Sequence, residues 1–196
     1  MRFFYFVPVL ILAALAASPA PAEEPVTDAT VASAPTPETL ESKLFDALKR
    51  ERDPEKARSI ASQIMASWKD SGSATVAFLM QWADTSIDQK KNAAALDFLD
   101  QVTVLKPDYA EAWNRRATLH YAMGDTRKSM ADINEVLKRN PRYFPAIAGM
   151  ATILTESGQD ELALKAWERY LDIYPAEREA QQAVEKLSEK LAGNRT

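Results

Sequence analysis

Residues 110–141 read AEAWNRRATLHYAMGDTRKSMADINEVLKRNP, and their order decides the fold. A helical stretch holding Trp113 and Ala117 runs to Gly124, a residue that supplies positive φ and so ends a helix. A second stretch holding Ile133 runs to Pro141, which stops a helix without needing a backbone donor. Both markers recur outside this segment. Pro107, Pro141 and Pro175 stand 34 residues apart, and Gly124 and Gly158 share that interval. Two kinds of punctuation with one period define a repeated helix–turn–helix unit.

With each proline at position 32, the units fall at 76–109, 110–143 and 144–176. Trp113 then takes position 4, Ala117 position 8 and Ile133 position 24. The next unit has Met150 at 7, Ala151 at 8, Leu154 at 11, Ala163 at 20, Trp167 at 24 and Tyr170 at 27. Upstream come Trp82 at 7, Ala83 at 8, Ala95 at 20, Leu99 at 24 and Val102 at 27, with Lys90 where the other units have their turn glycine. Small residues at 8 and 20 let two helices approach closely, and large apolar residues at the other positions fill the seams. This pattern resembles the tetratricopeptide repeat. The resemblance implies an all-α, right-handed α-solenoid of helical hairpins.

The flanks complete the array. Residues 37–75 contain Leu40, Leu44, Phe45 and Leu48 on one helical side. After Asp53-Pro54 come Ala57, Ile60, Ala61, Ile64 and Met65 at spacings of 3 and 4. These two stretches predict a degenerate hairpin preceding the first clear unit, its register lost over Asp70-Ser71-Gly72-Ser73. Residues 177–192 carry Ala180, Val184, Leu187 and Leu191 on one stripe with charge elsewhere. That is the form of a helix capping a solenoid. Residues 193–196 are expected as a disordered tail.

The first 22 residues, MRFFYFVPVLILAALAASPAPA, read as an export signal. Arg2 is the positive start, Phe3 to Ala17 the apolar run, and Ala20-Pro21-Ala22 offers the small residues that a signal peptidase needs. Cleavage after Ala22 is expected, leaving no stable membrane insertion. Retention as an anchor is the alternative, disfavoured because a span needs about 20 apolar residues. Residues 23–36, rich in Pro, Ala and Thr, read as a disordered tether. The expected location is the periplasm of a Gram-negative bacterium, or secretion from the cell.

Composition excludes whole classes of function. The chain of 196 residues is 46% apolar and 27% charged, with a formal charge of −4 and its basic residues dispersed, so no nucleic-acid footprint is visible. Cysteine is absent, which removes disulfides, thiol nucleophiles and thiolate-bound metals, and the single histidine is His120. No phosphate-binding glycine loop, zinc-protease motif or nucleophile elbow occurs. The chain is therefore expected to be no enzyme and to need no cofactor.

The resemblance implies that positions 2, 5, 9, 12 and 13 of each unit face a concave surface. Those positions nominate Met80, Asp84 and Asp88, then Glu111, Asn114, Thr118 and Tyr121, then Thr152 and Thr155 as binding residues; Ala77, Ile87, Ala122, Pro145, Ala148 and Glu156 share the face. One subgroup of the family grips a peptide carboxylate with Lys at 5 and Asn at 9. Here position 5 reads Met80, Asn114 and Ala148, and position 9 reads Asp84, Thr118 and Thr152, so that clamp is missing. An extended or helical polypeptide with some basic character is the expected ligand. Two departures sit on the inner seam: Arg116 at position 7, usually Leu, and His120 at position 11, usually aromatic. Together they mark either a buried polar contact or binding residue, or, the reading preferred, Arg116 laying its stem along the seam with its head in solvent and His120 filling the aromatic slot.

The function expected from all this is a scaffold that binds protein or peptide partners through its concave face and assists assembly of an envelope complex. The alternative is an accessory or regulatory subunit of a cell-wall enzyme. A monomer is expected, with self-association through a poorly capped end as the remaining option.

Overall fold

The computed structural model describes residues 37–193; the expected export signal 1–22, the tether 23–36 and residues 194–196 of the tail lie outside them. Nine helices follow one another among the described residues: α1 (Pro37–Arg50), α2 (Pro54–Trp68), α3 (Ala74–Asp88), α4 (Asn92–Leu105), α5 (Ala110–Ala122), α6 (Thr126–Arg139), α7 (Phe144–Glu156), α8 (Asp160–Ile173) and α9 (Arg178–Gly193). The fold is all-α, and α3–α4, α5–α6 and α7–α8 are the repeated hairpins.

Each hairpin is closed by the small pair that the repeat predicts. Ala83 and Ala95, Ala117 and Ser129, and Ala151 and Ala163 are all buried, which brings the paired helices close. Each second helix ends two residues before its proline, since the residue before proline avoids the α region. The proline carbonyls are then captured by side chains. Pro107 O accepts from Trp113 Nε1 at 3.0 Å, Pro141 O from Arg169 Nη2 at 2.7 Å and Pro175 O from Gln181 Nε2 at 2.6 Å. Trp113 and Gln181 hold position 4 of their units, so the same slot does the same work twice.

The turn inside the first hairpin shows how a missing glycine is tolerated. Lys90 has φ 58°, in the left-handed region that Gly124 (80°) and Gly158 (72°) also occupy. The bonds match as well. Lys90 N donates to Ile87 O and Lys91 N to Ser86 O, as Gly124 N donates to Tyr121 O and Asp125 N to His120 O. The helix-ending geometry is thus the same with or without glycine, and the lysine bears the strain. Lys90→Gly is expected to stabilise the protein by about 1 kcal/mol, the left-handed cost of an L side chain. Chemical denaturation would show this as a raised midpoint.

The structure departs from the expected linear order at α1–α2. The hairpin forms, with Asp53 capping α2 by accepting from Lys56 N at 2.9 Å ahead of Pro54. It does not stack on α3 as a preceding unit would. Phe45, Leu48, Ala57, Ala61 and Ile64 instead share a core with Phe144, Ile147, Tyr170, Tyr174, Ala176 and Ala180. Trp68 stacks on Tyr143 with ring centroids 4.3 Å apart and tilts against Phe144 at 5.4 Å. The guanidinium of Arg142 lies 3.9 Å from the Phe45 ring centroid, and Tyr109 Oη donates to Lys69 O at 2.8 Å. The hairpin therefore folds back across the linking segments of the later units. The apolar stripes predicted its burial but not the surface it buries against.

At the other end α9 caps α8 as expected, with Ala180 and Leu187 buried and Val184 and Leu191 half-buried. Lys190 Nζ reaches Asp160 at 2.7 Å across that junction.

Candidate protein-binding groove

The first helices of the units, α3, α5 and α7, present the nominated residues, but α2 divides the surface into a covered and an open part. On the covered side Met65 of α2 and Lys69, just past its end, face Glu111, Asn114, Arg115, Thr118, Tyr143 and Pro145 across a cleft of about 190 Å³. Glu111 is buried there, accepting from the Tyr143 hydroxyl and from Arg115 Nη2 at 3.2 Å. Burial pushes the Tyr143 hydroxyl far above its ordinary value, and the Glu111 charge adds to the effect. Tyr109 is pushed up to about 12 by the same two causes in the same order. Arg115 Nε also faces Asp84 Oδ1 at 3.4 Å, an ion pair lacking hydrogen-bond geometry. These charges lock α3, α5 and the start of α7 together and leave no carboxylate of Glu111 for a partner.

Met80 is not on the groove either. It is buried in the core that α3, α4 and α5 share with Tyr109 and Ala112, so both expected contacts, Met80 and Glu111, are inaccessible. Position 5 turns inward in this unit because an unbranched apolar side chain gains more from that core than from water.

The open side holds Tyr121, Thr152 and Thr155, with Asn114 and Thr118 on the edge shared by the two parts. A pocket of about 160 Å³ lies between α5 and α7, with Ala117, Ile133, Ala146, Gly149 and Ile153 as floor and Asn114, Thr118, Tyr121 and Thr152 as rim. Gly149 lies in that floor, where an added Cβ would make ordinary contact with Ile133 Cδ1 at 3.4 Å. Thr118, Thr152 and Thr155 each donate to a carbonyl one turn back at 2.8–3.0 Å, which fixes their rotamers and leaves their oxygens free to accept. Tyr121 Oη donates to Glu156 Oε1 at 2.6 Å, which raises the tyrosine's pKa. Thr152 also lines a second pocket, of about 440 Å³, that continues between α7 and α9 past Thr155, Glu156, Trp167 and Lys186. Asp88 is exposed at the far end of α3, and Asp84 is half-buried beside Arg115.

Residues outside the expected set prove to shape the groove: Tyr143, Arg115 and Gly149.

Arg116 and His120 are accounted for by packing. Arg116 makes a two-pronged bond to Asp132 (Nε to Oδ2 2.8 Å, Nη2 to Oδ1 2.7 Å) and reaches back to Asp100 at 2.7 Å and Thr103 at 3.1 Å. Its head is not in solvent as expected but joins α4, α5 and α6. The Asp132 bond holds the guanidinium above its ordinary value. His120 is buried with Nε2 3.9 Å from Asp132.

The family model of the tetratricopeptide repeat matches residues 110–143. A TPR repeat-containing protein of Rhizobium etli is 63% identical over 161 residues, spanning 82% of this chain and 79% of its own. Among solved structures, the first TPR domain of Spaghetti (RPAP3) bound to an HSP90 peptide superposes with a TM-score of 0.56 at 22% identity, covering 60% of this chain and 94% of its own. The MamA protein superposes with a TM-score of 0.54 at 18% identity over 77% of this chain and 80% of its own. The repeat register, the helical hairpins and the Rhizobium relative agree, and this chain belongs to the tetratricopeptide-repeat proteins.

Proposed function

We infer that the protein is a non-catalytic scaffold, exported to the periplasm, that holds a polypeptide in the open half of its groove and serves assembly of an envelope complex. The observation that carries this is the pocket between α5 and α7. An apolar floor under a rim of fixed hydroxyl and amide groups suits one apolar side chain of a ligand, flanked by backbone that can bond to the rim. Glu156, which accepts from Tyr121 on the rim, favours a ligand with a basic residue beside its anchor. The bound peptide in the Spaghetti domain shows that this fold can serve such a purpose. Support for export comes from the run Phe3 to Ala17 and the site at Ala20-Pro21-Ala22. Among the described residues no helix is long and apolar enough to cross a membrane.

The test uses the protein as bait in envelope extracts, beside Asn114→Ala/Tyr121→Ala. Loss of rim bonds and of the tyrosine wall is expected to lower capture of a bound polypeptide about tenfold, with melting temperature unchanged. Equal capture by the two proteins would remove the groove as the binding site.

A further inference from the structure

The bare end of the array carries an inference independent of the groove. At each internal junction a first helix packs on the second helix of the unit before it: α5 on α4, α7 on α6, α9 on α8. The position-7 side chain makes that contact, as Arg116 does in reaching Asp100 and Thr103 of α4. Trp82 holds the same position on α3. With α1–α2 folded back elsewhere, no helix of the described residues covers it. Trp82 is 53% exposed and Phe78, one turn earlier, 59% exposed. Their rings lie 6.5 Å apart, and Trp82 is 5.7 Å from Phe98 of α4, so the three rings form one connected patch.

Charge indicates what fits there. The exposed stripe of α3 runs Ala74, Phe78, Gln81, Trp82, Thr85 and Gln89, without an ionisable group, in a chain that is 27% charged. Of the two acids of α3, Asp84 faces Arg115, and Asp88 is the last residue of the helix, one turn beyond Thr85 and away from the Phe78–Trp82 centre. A neutral apolar stripe can meet its own copy without like-charge repulsion. The opposite end of the array offers no matching surface, because the outer face of α9 carries Arg178, Glu185 and Glu189. Head-to-tail growth is therefore disfavoured and a closed two-fold pair remains.

We propose that two copies of the protein pair through this face, α3 antiparallel to α3, with Phe78 of each seated against Trp82 of the other. The size of the contact sets its strength. A helix of this length offers a strip about 22 Å by 10 Å. That is a few hundred Å² per copy, well short of the ~800 Å² per partner of a stable complex. The pair is thus weak, expected to form on the order of 100 micromolar, between the ~1 mM and ~1 μM affinity classes.

Sedimentation of the purified protein from low micromolar to near-millimolar concentration tests this. The weight-average mass is expected to rise toward twice that of the protomer. Phe78→Ser/Trp82→Ser should stay monomeric throughout, with helical content and melting temperature retained because both side chains are largely exposed. Gln81 sits next to the proposed axis, so Gln81→Lys alone should weaken pairing at least tenfold, and mixing it with Gln81→Glu should restore it. A monomer at every concentration overturns the proposal. So does association that survives the serine variant, or a lysine–glutamate mixture no stronger than the lysine variant alone. Capture of a helix from another protein on this face, with the copies still monomeric, would equally overturn it.

Discussion

Replacing Arg116 by leucine, the residue this repeat usually has at that position, is expected to destabilise the protein by about 3–5 kcal/mol. The substitution looks like a return to consensus and would fill the seam well. It would also leave Asp132 buried, 5% exposed, with its two-pronged partner gone and His120 at 3.9 Å as the nearest positive candidate. Coulomb attraction to Arg116 offsets the desolvation of that carboxylate in the native protein, and leucine leaves the cost unopposed. For a domain of this size the melting temperature should fall by roughly 10 °C. The control is Arg116→Leu/Asp132→Leu, which removes both charges and should recover most of the loss. If the double variant were as unstable as the sum of the two singles, the charge-burial account would be wrong.

The second large effect concerns the folded-back hairpin. Trp68→Ala removes the stack on Tyr143, the contact with Phe45 at 6.1 Å between ring centroids, and the Nε1 bond to Glu41 at 3.1 Å. A loss of about 3 kcal/mol is expected, at the lower end for an aromatic truncation because Trp68 is half-buried. The diagnostic measurement is a double-mutant cycle with Phe144→Ala, whose ring lies 5.4 Å from Trp68. An interaction energy above about 0.5 kcal/mol is expected for residues in contact. If α1–α2 stacked on α3 as a first unit, Trp68 and Phe144 would be far apart and the cycle would close to zero.

These two cases show where the sequence could be read and where it could not. Proline and glycine act on their own backbone, so Pro107, Pro141, Pro175, Gly124 and Gly158 placed the hairpins directly. The unit with Lys90 was legible without its glycine because the left-handed turn is held by the bonds around it, and residue identity only alters its strain. The burial of Ile64 and Phe45 followed from helical spacing. Their partners did not, since a stripe records that a face is dry and not what dries it. Trp68 and Tyr143 meet although they stand 75 positions apart in the sequence, a separation that no local pattern encodes. Arg116 is the intermediate case. Its acidic partners Asp100 and Asp132 each stand 16 residues away, one on either side, at a separation that brings neighbouring helices together. On the groove, family positions gave Asn114, Thr118, Tyr121, Thr152 and Thr155 as neighbours, while Met80 and Glu111 went inward, Met80 to the core of α4 and α5 and Glu111 to Arg115 and the Tyr143 hydroxyl.

The return of α1–α2 over the later helices also changes how the molecule should come apart. A solenoid whose units touch just their neighbours behaves as a one-dimensional array and can fray from either end. Here α2 touches the segment before α5 through Lys69 and Tyr109, the start of α7 through Trp68, and the entry to α9 through the core containing Ala57 and Ala180. These contacts join the first described helices to the last. They raise the contact order, so folding must close a long loop before its reward arrives and proceeds more slowly than in an open array of the same length. In exchange, neither end can peel away alone, and the repeats melt as one cooperative body.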